Sequence, residues 1–120
     1  MYSTSMIPKD LVAASAEPLI LSLLEHAESY GYAIIQEIRS RSEDQLKWTD
    51  GMLYPVLHRM EAKALIKSRW AKSETGRKRK YYSLKQDGKR ALEKHFAQWK
   101  VVHSVLTGLR KQQLARNPYV

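Results

Sequence analysis

A glycine followed at once by four cations, Gly76–Arg77–Lys78–Arg79–Lys80, is the stretch of this 120-residue sequence whose residue types and spacing carry the most chemistry. The residues on either side alternate apolar and polar character: Ile66–Lys67–Ser68–Arg69–Trp70–Ala71–Lys72 before it, Tyr81–Tyr82–Ser83–Leu84 after it. Two such runs around a Gly-containing turn predict a β-hairpin. A cationic tip suits a polyanion, because each Lys or Arg set against a phosphate releases condensed counterions. The same tip also reads as a solvated turn that keeps a sheet edge from aggregating. Alternation puts Arg77 and Arg79 on one face and Lys78 and Lys80 on the other, so the four are not expected to meet one partner together.

Catalytic chemistry finds little support. His26, His58, His95 and His103 are scattered; only His95 and His103 can share a helix face, and no carboxylate stands there at ligand spacing. No phosphate-cradling glycine loop, nucleophile motif or pair of carboxylates is visible. The chain has no Cys, which excludes disulfides, thiolate zinc sites and cysteine nucleophiles. The expectation is a protein that is not an enzyme and needs neither metal nor cofactor.

Charge points to an anionic partner. The formal net charge is +9, and its distribution is lopsided: residues 1–50 carry four Lys/Arg against eight Asp/Glu, residues 51–120 seventeen against four. Nucleic acid, a membrane surface or an acidic protein would each suit it. The N-terminus lacks the basic and apolar regions of a signal peptide, and the best apolar run, Pro18 to Leu24, is far shorter than a membrane span. These features predict one soluble, cytoplasmic domain without a membrane partner.

The elements that must position the cationic hairpin follow from periodicity. Residues 7–25 show a broad helical stripe of Leu11, Val12, Ser15, Leu19, Ile20, Leu23 and Leu24, interrupted by Pro18, which predicts a kink or two helices meeting near Glu17. A second helix is expected from Tyr30 to Arg41, with Ser29 as N-cap and Tyr32, Ile34, Ile35 and Ile38 on its apolar face. Leu46–Lys47–Trp48 alternates and suggests a short strand. Thr49 or Asp50 then caps a third helix from Gly51 to Ala64, with Leu53, Val56, Leu57, Met60 and Leu65 inward and Pro55 harmless in its first turn. After the hairpin, Asp87 or Gly88 starts a last helix to about Lys111, and residues 112–120 form a frayed tail. The order of helix, helix, short strand, helix, hairpin and long helix predicts a mainly α fold with a small β-hairpin, a winged helix-turn-helix. Residues 7–86 make the DNA-binding unit and 87–111 a C-terminal dimerisation helix. In that arrangement the third helix enters the major groove and the hairpin lies along neighbouring phosphates, which favours the phosphate-clamp reading of its tip.

Four segments resemble the PadR family of bacterial transcriptional regulators. They are Tyr30–Gly31–Tyr32 with Ile34–Ile35, then Gly51–Met52–Leu53–Tyr54–Pro55–Val56–Leu57–His58–Arg59–Met60, then Gly76 to Tyr82, and finally Leu84 to Gly88. Ile7–Pro8–Lys9–Asp10–Leu11 and Trp99 on a single final helix resemble the short, multidrug-sensing branch. Three positions depart from the pattern. Met60 replaces the commoner Leu, a harmless exchange in a core. Lys85 stands where a capping Thr is frequent, leaving the capping to Asp87, and Pro18 falls on the wall of the expected effector cavity.

The resemblance implies roles for particular residues. Thr49, Gly51, Met52, Tyr54, Pro55, His58, Arg59 and Lys63 become candidates for DNA contact on the third helix, and Thr75, Gly76, Arg77, Lys78 and Arg79 in the wing. Taken alone, Tyr54 reads as a core tyrosine and Arg59 as the partner of a nearby carboxylate. Leu92, Phe96, Trp99, Val102 or His103 and Leu106 repeat at near-heptad spacing, so with Leu11 they are expected to meet a second copy of the chain. A twofold axis would set the two reading helices about 34 Å apart, on an inverted-repeat double-stranded DNA operator. Trp99, with Phe96, Ser15, Leu19, Val102 and His103, is the expected seat of a small planar or cationic effector. The sequence therefore predicts a homodimeric repressor released by such a ligand. The competing reading is a winged helix with an architectural DNA-binding, RNA-binding or protein-interaction role and no effector.

Overall fold

The computed structural model describes residues 7–116, with side chains to residue 112. Its elements are α1 (Lys9–His26), β1 (Ser29–Tyr30), α2 (Gly31–Arg41), α3 (Asp50–Ala62), β2 (Ile66–Lys72), β3 (Lys78–Leu84) and α4 (Gln86–Arg116). The three strands form one antiparallel sheet in the order β1-β3-β2, with Trp70 opposite Lys80 and Tyr30 opposite Tyr81. This is a winged helix-turn-helix with a long C-terminal helix, as its sequence predicts.

One core holds it together. Ala16, Ile20, Leu21 and Leu24 of α1 meet Ile34 and Ile38 of α2, Leu53, Val56, Leu57 and Met60 of α3, and Leu92 of α4. Leu65, Ile66 and Tyr82 close it from the side of the sheet. Each fully buried Leu or Ile contributes about 1.5–3 kcal/mol of transfer free energy, so this interior outweighs local breaks in helix propensity.

That explains why, of the two outcomes expected at Pro18, two separate helices is not the one found. Pro18 does not divide α1, which is continuous from Lys9 to His26. The carbonyl of Ala14 loses its donor, yet buried Ile20 and Leu21 just beyond Pro18 hold the turn against the core. The α1 stripe is also split: Ala16, Ile20, Leu21 and Leu24 are buried, whereas Leu11 remains exposed.

Other elements move as well. Leu46–Trp48 forms no strand; Trp48 is buried in the core, and the third strand is Ser29–Tyr30, paired with Tyr82 and Tyr81. Ser29 is therefore a strand residue and not the cap of α2, which starts after Tyr30 without a side-chain cap. Tyr32, expected inward, points out of the core and is exposed. Helix α4 begins at Gln86, so Asp87 lies inside its first turn, bonded to Arg90, and does not cap it. The helix continues through residues 112–116, where a frayed tail is expected; the rest of that tail, 117–120, lies outside the described residues.

Candidate nucleic-acid interface

Helix α3 begins with the predicted cap. The Thr49 hydroxyl accepts a hydrogen bond from the Met52 N–H at 3.2 Å, satisfying one of the four open donors of the first turn. This leaves Gly51 and Pro55 exposed near the helix start, with Met52 half-buried against the core. Tyr54 and His58, one turn apart, face outward on the same side. Arg59 is exposed, and among the described residues it has no carboxylate partner.

The hairpin turn is built by serine and glycine. Ser73 N–H donates to the Arg77 carbonyl at 2.8 Å, Gly76 N–H to the Ser73 carbonyl at 2.9 Å, and Arg77 N–H to the Ser73 hydroxyl at 3.2 Å. The Thr75 and Ser73 hydroxyls are 2.9 Å apart and complete the tip. Gly76 has φ of +85°, a conformation that a side chain would strain.

Strand register assigns the faces of the wing. Residues two apart share a face, so Ser68, Trp70, Lys72, Lys78, Lys80 and Tyr82 lie together. Tyr82 on this face is buried, and the Ser68 hydroxyl donates to Glu61 of α3 at 2.6 Å, so this is the face turned toward α3. Trp70 is 60% exposed there, with the Lys78 ammonium 5.3 Å and the Lys80 ammonium 6.0 Å from its ring. On the opposite face the Arg79 guanidinium lies 4.2 Å over the Tyr30 ring, and Tyr30 meets Tyr81 edge to face at 5.5 Å. Arg69 shares that face and is held by Glu28; the hydrogen bond and charge of Arg69 pull the Glu28 carboxyl below its ordinary range.

Between α3 and the wing lies an open concavity of about 720 Å³. Tyr54 and His58 line one side and Arg77, Lys78, Arg79 and Lys80 the other, with Trp70, Tyr30, Gly31, Tyr32 and Tyr82 completing the walls. None of the six ion pairs among the described residues involves the four cations Arg77 to Lys80. Burial pushes the Tyr82 phenol up to about 12, with Tyr54 and Glu61 adding to the shift, and among the described residues its hydroxyl has no hydrogen-bond partner.

Five predicted residues thus meet around one concavity: Tyr54, His58, Arg77, Lys78 and Arg79. Lys63 does not join them, because it is spent on Glu17 of α1 at 2.7 Å. The lining residues that are not among the predicted contacts are Tyr30, Gly31, Tyr32, Trp70, Lys80 and Tyr82. The signal for Lys80 and Trp70 was present in the alternation, but only the register shows which face meets α3.

A second cavity, of about 390 Å³, runs between α1 and α4. Leu11, Ser15, Pro18, Leu19, Phe96 and Trp99 line it, bringing together four of the six predicted effector residues. Val102 and His103 lie further along α4, exposed and outside this cavity within a single chain. Leu92 is 1% exposed within a single chain and belongs to its own core, which leaves it no surface to offer a second copy. The Ser15 hydroxyl donates to the Leu11 carbonyl at 2.7 Å.

A reading helix with a capped, exposed start, flanked by a cationic two-stranded wing, defines a winged helix-turn-helix DNA-binding protein. Residues 20–94 match the Transcriptional regulator PadR-like family, and the chain belongs to that family. Its members are regulators of transcription rather than enzymes. The chain is similar to a transcriptional regulator from Clostridium thermocellum at 28% identity, with a TM-score of 0.76, over 83% of this chain and 97% of that one. It also resembles a PadR family transcription regulator from Clostridium difficile at 35% identity and a TM-score of 0.69, over 79% and 97% of the two chains. An uncharacterised protein from Lysinibacillus sphaericus is 31% identical over 101 residues, 84% of this chain and 93% of that protein. Among the described residues no helix is long and apolar enough to cross a membrane.

Proposed function

We propose that the chain is a homodimeric, cytoplasmic repressor that binds an inverted-repeat operator and leaves it when a small planar molecule enters the α1–α4 groove. The observation that carries the DNA part is the concavity between α3 and the wing, which Tyr54 and His58 line together with four cations that enter no ion pair among the described residues, Lys78 and Lys80 from the face turned toward α3 and Arg77 and Arg79 from the other. In this reading Gly51, Met52 and Pro55 at the start of α3 meet base edges by shape and apolar contact, and Thr49 serves the helix by capping. Tyr54, His58 and Arg59 bond phosphates, and the wing supplies affinity and salt dependence through Arg77, Lys78 and Arg79 around the Thr75–Gly76 turn.

Dimerisation is supported by what α4 leaves uncovered. Phe96, Trp99, Val102, Leu106 and Leu109 are all exposed, Leu106 by 64%, along one long helix. An apolar surface of that extent on a single chain calls for a partner, and Leu11 of α1 extends it. The groove lining narrows the effector. Trp99 and Phe96 offer ring faces to a small planar or cationic molecule.

The test combines two measurements. Duplexes selected by the protein from a random pool should converge on an inverted repeat bound far more tightly than bulk DNA, and sedimentation should show a dimer at micromolar concentration. Equal affinity for all sequences would replace the regulator with an architectural protein, and a folded monomer would remove the twofold operator.

A further inference from the structure

One carboxylate joins three helices beside the α1–α4 groove. Glu17 of α1 accepts a hydrogen bond from Lys63 Nζ at 2.7 Å and lies 2.8 Å from His95 Nε2. Lys63 is the C-cap of α3, the helix that reads DNA. His95 belongs to α4, one turn before Trp99, and forms part of the groove wall. The residue after Glu17 is Pro18, on the opposite wall of the same groove. Glu17 and His95 are each 23% exposed, so their contact is partly shielded from water, while Lys63 reaches in from the surface. Burial opposes the charge on Glu17, but the hydrogen bonds from His95 and Lys63, with the charge of Lys63, outweigh it and hold the carboxyl below its ordinary value.

The geometry points to Glu17 as a positioning residue that couples the groove to the reading helix, through His95 on one side and Lys63 on the other. It rests on the DNA-binding and effector readings given above. Coupling between two sites needs an interaction that differs between two arrangements of the protein. The apolar contacts among Ile20, Leu21, Leu57 and Met60 change little when helices slide slightly, because they are not directional. Hydrogen bonds are directional, and one stretched by about an ångström is no longer a bond. Among the described residues Glu17 is the only carboxylate that the ion pairs connect to both α3 and α4. A molecule that wedges α4 away from α1 at Trp99 therefore loads the His95–Glu17 contact first, and Lys63 passes the change to the end of α3. By reciprocity, DNA that fixes α3 also alters the groove.

That reciprocity allows a test without knowing the effector. Hydrogen exchange of residues 11–22 and 92–100 is measured on the free protein and on the protein saturated with a duplex recovered by affinity selection. Anisotropy of the labelled duplex checks binding independently. The wild type should exchange about twofold or more differently in these segments when DNA is bound, although they lie away from the α3–wing concavity. Lys63→Met should bind DNA yet lose that response, and Lys63→Arg, which keeps the charge and reach, should regain it. Glu17→Gln should lose it too. A purely structural role for Glu17 would lower stability in these variants without separating Lys63→Met from Lys63→Arg in the DNA response. A wild-type response unchanged in Lys63→Met, or no response while the duplex is bound, would overturn the coupling. Failure to bind any duplex would overturn the DNA-binding reading and the coupling with it.

Discussion

Gly31 at the start of α2 and Tyr54 on α3 approach so closely that a Cβ on Gly31 would stand 2.2 Å from the Tyr54 hydroxyl oxygen. The phenol lies over the α2 N-terminus because no side chain is there to exclude it. This seat keeps Tyr54 partly covered and fixes where its hydroxyl meets the concavity. Gly31→Ala should therefore displace the ring, costing about 1–3 kcal/mol through overpacking and weakening DNA binding at the same time. Thermal denaturation and duplex anisotropy check both. Wild-type values in the two assays would mean that Tyr54 can leave its seat at no cost and is not held for DNA.

The pairing of Gly31 with Tyr54 also shows what could be read from the sequence. The Gly31 and Tyr54 segments each stood out as resembling the family, and helix periodicity located α2 and α3 to within a residue or two. Leu53, Val56, Leu57 and Met60 faced inward as expected, since an amphipathic stripe encodes its own buried side. What escaped was set by distant pairing. Ser29–Tyr30 is too short for any period to show, and becomes a strand only because β3 lies beside it. Lys63 carries the same charge whether it meets a phosphate or a carboxylate, and its partner Glu17 stands 46 residues away in the chain. The face of Lys80 was likewise undecided until the strand register set it beside Trp70.

Wing cations should separate by face in their salt dependence. Lys78 and Lys80 share the face turned toward α3 and have no carboxylate partner among the described residues, whereas Arg69 is held by Glu28 on the other face. Lys80→Ala should lower the slope of log K against log[salt] by about 1, the share of a single phosphate, with all sequences weakened alike. Arg79→Ala should do the same, and an unchanged slope would assign Arg79 to its Tyr30 contact alone. Arg69→Ala should leave the slope as it is. Equal slopes for Lys80→Ala and the wild type would remove that lysine from the interface.

Tyr82 makes the fold sensitive to alkali. Its phenol is pushed up to about 12 from an ordinary 10.0, chiefly by burial, so the folded state keeps the proton that the unfolded state gives up. The stabilisation this represents is fully present below the unfolded value of about 10 and is lost as pH rises through the folded value near 12. Tyr82→Phe should remove that part of the alkaline sensitivity. It should cost little at neutral pH, because the hydroxyl it deletes is buried without a partner among the described residues. Denaturation midpoints of the two proteins between about pH 8 and pH 12 provide the check. A large neutral-pH penalty would show that the hydroxyl has a bonding role after all.

Glu17 gives the opposite dependence at the acid end. Its carboxyl lies below the ordinary 4.5, since the bonds from His95 and Lys63 outweigh the burial that raises it. A depressed folded value means that the unfolded state binds the proton first. The contribution of Glu17 is therefore complete above the unfolded value and fades as pH falls through 4.5 toward the folded one. Glu17→Gln keeps the shape but not the charge, leaving Lys63 without its counter-ion and His95 without its carboxylate partner. Its melting temperature should fall below that of the wild type by a few degrees at neutral pH. The gap should close as the solution is acidified past the ordinary carboxylate range, where the wild type carries a neutral side chain too. Melting curves on a pH series compare the two proteins directly. A gap that stays constant from neutral to acid pH would assign the loss to packing and remove the charged bridge between α1, α3 and α4.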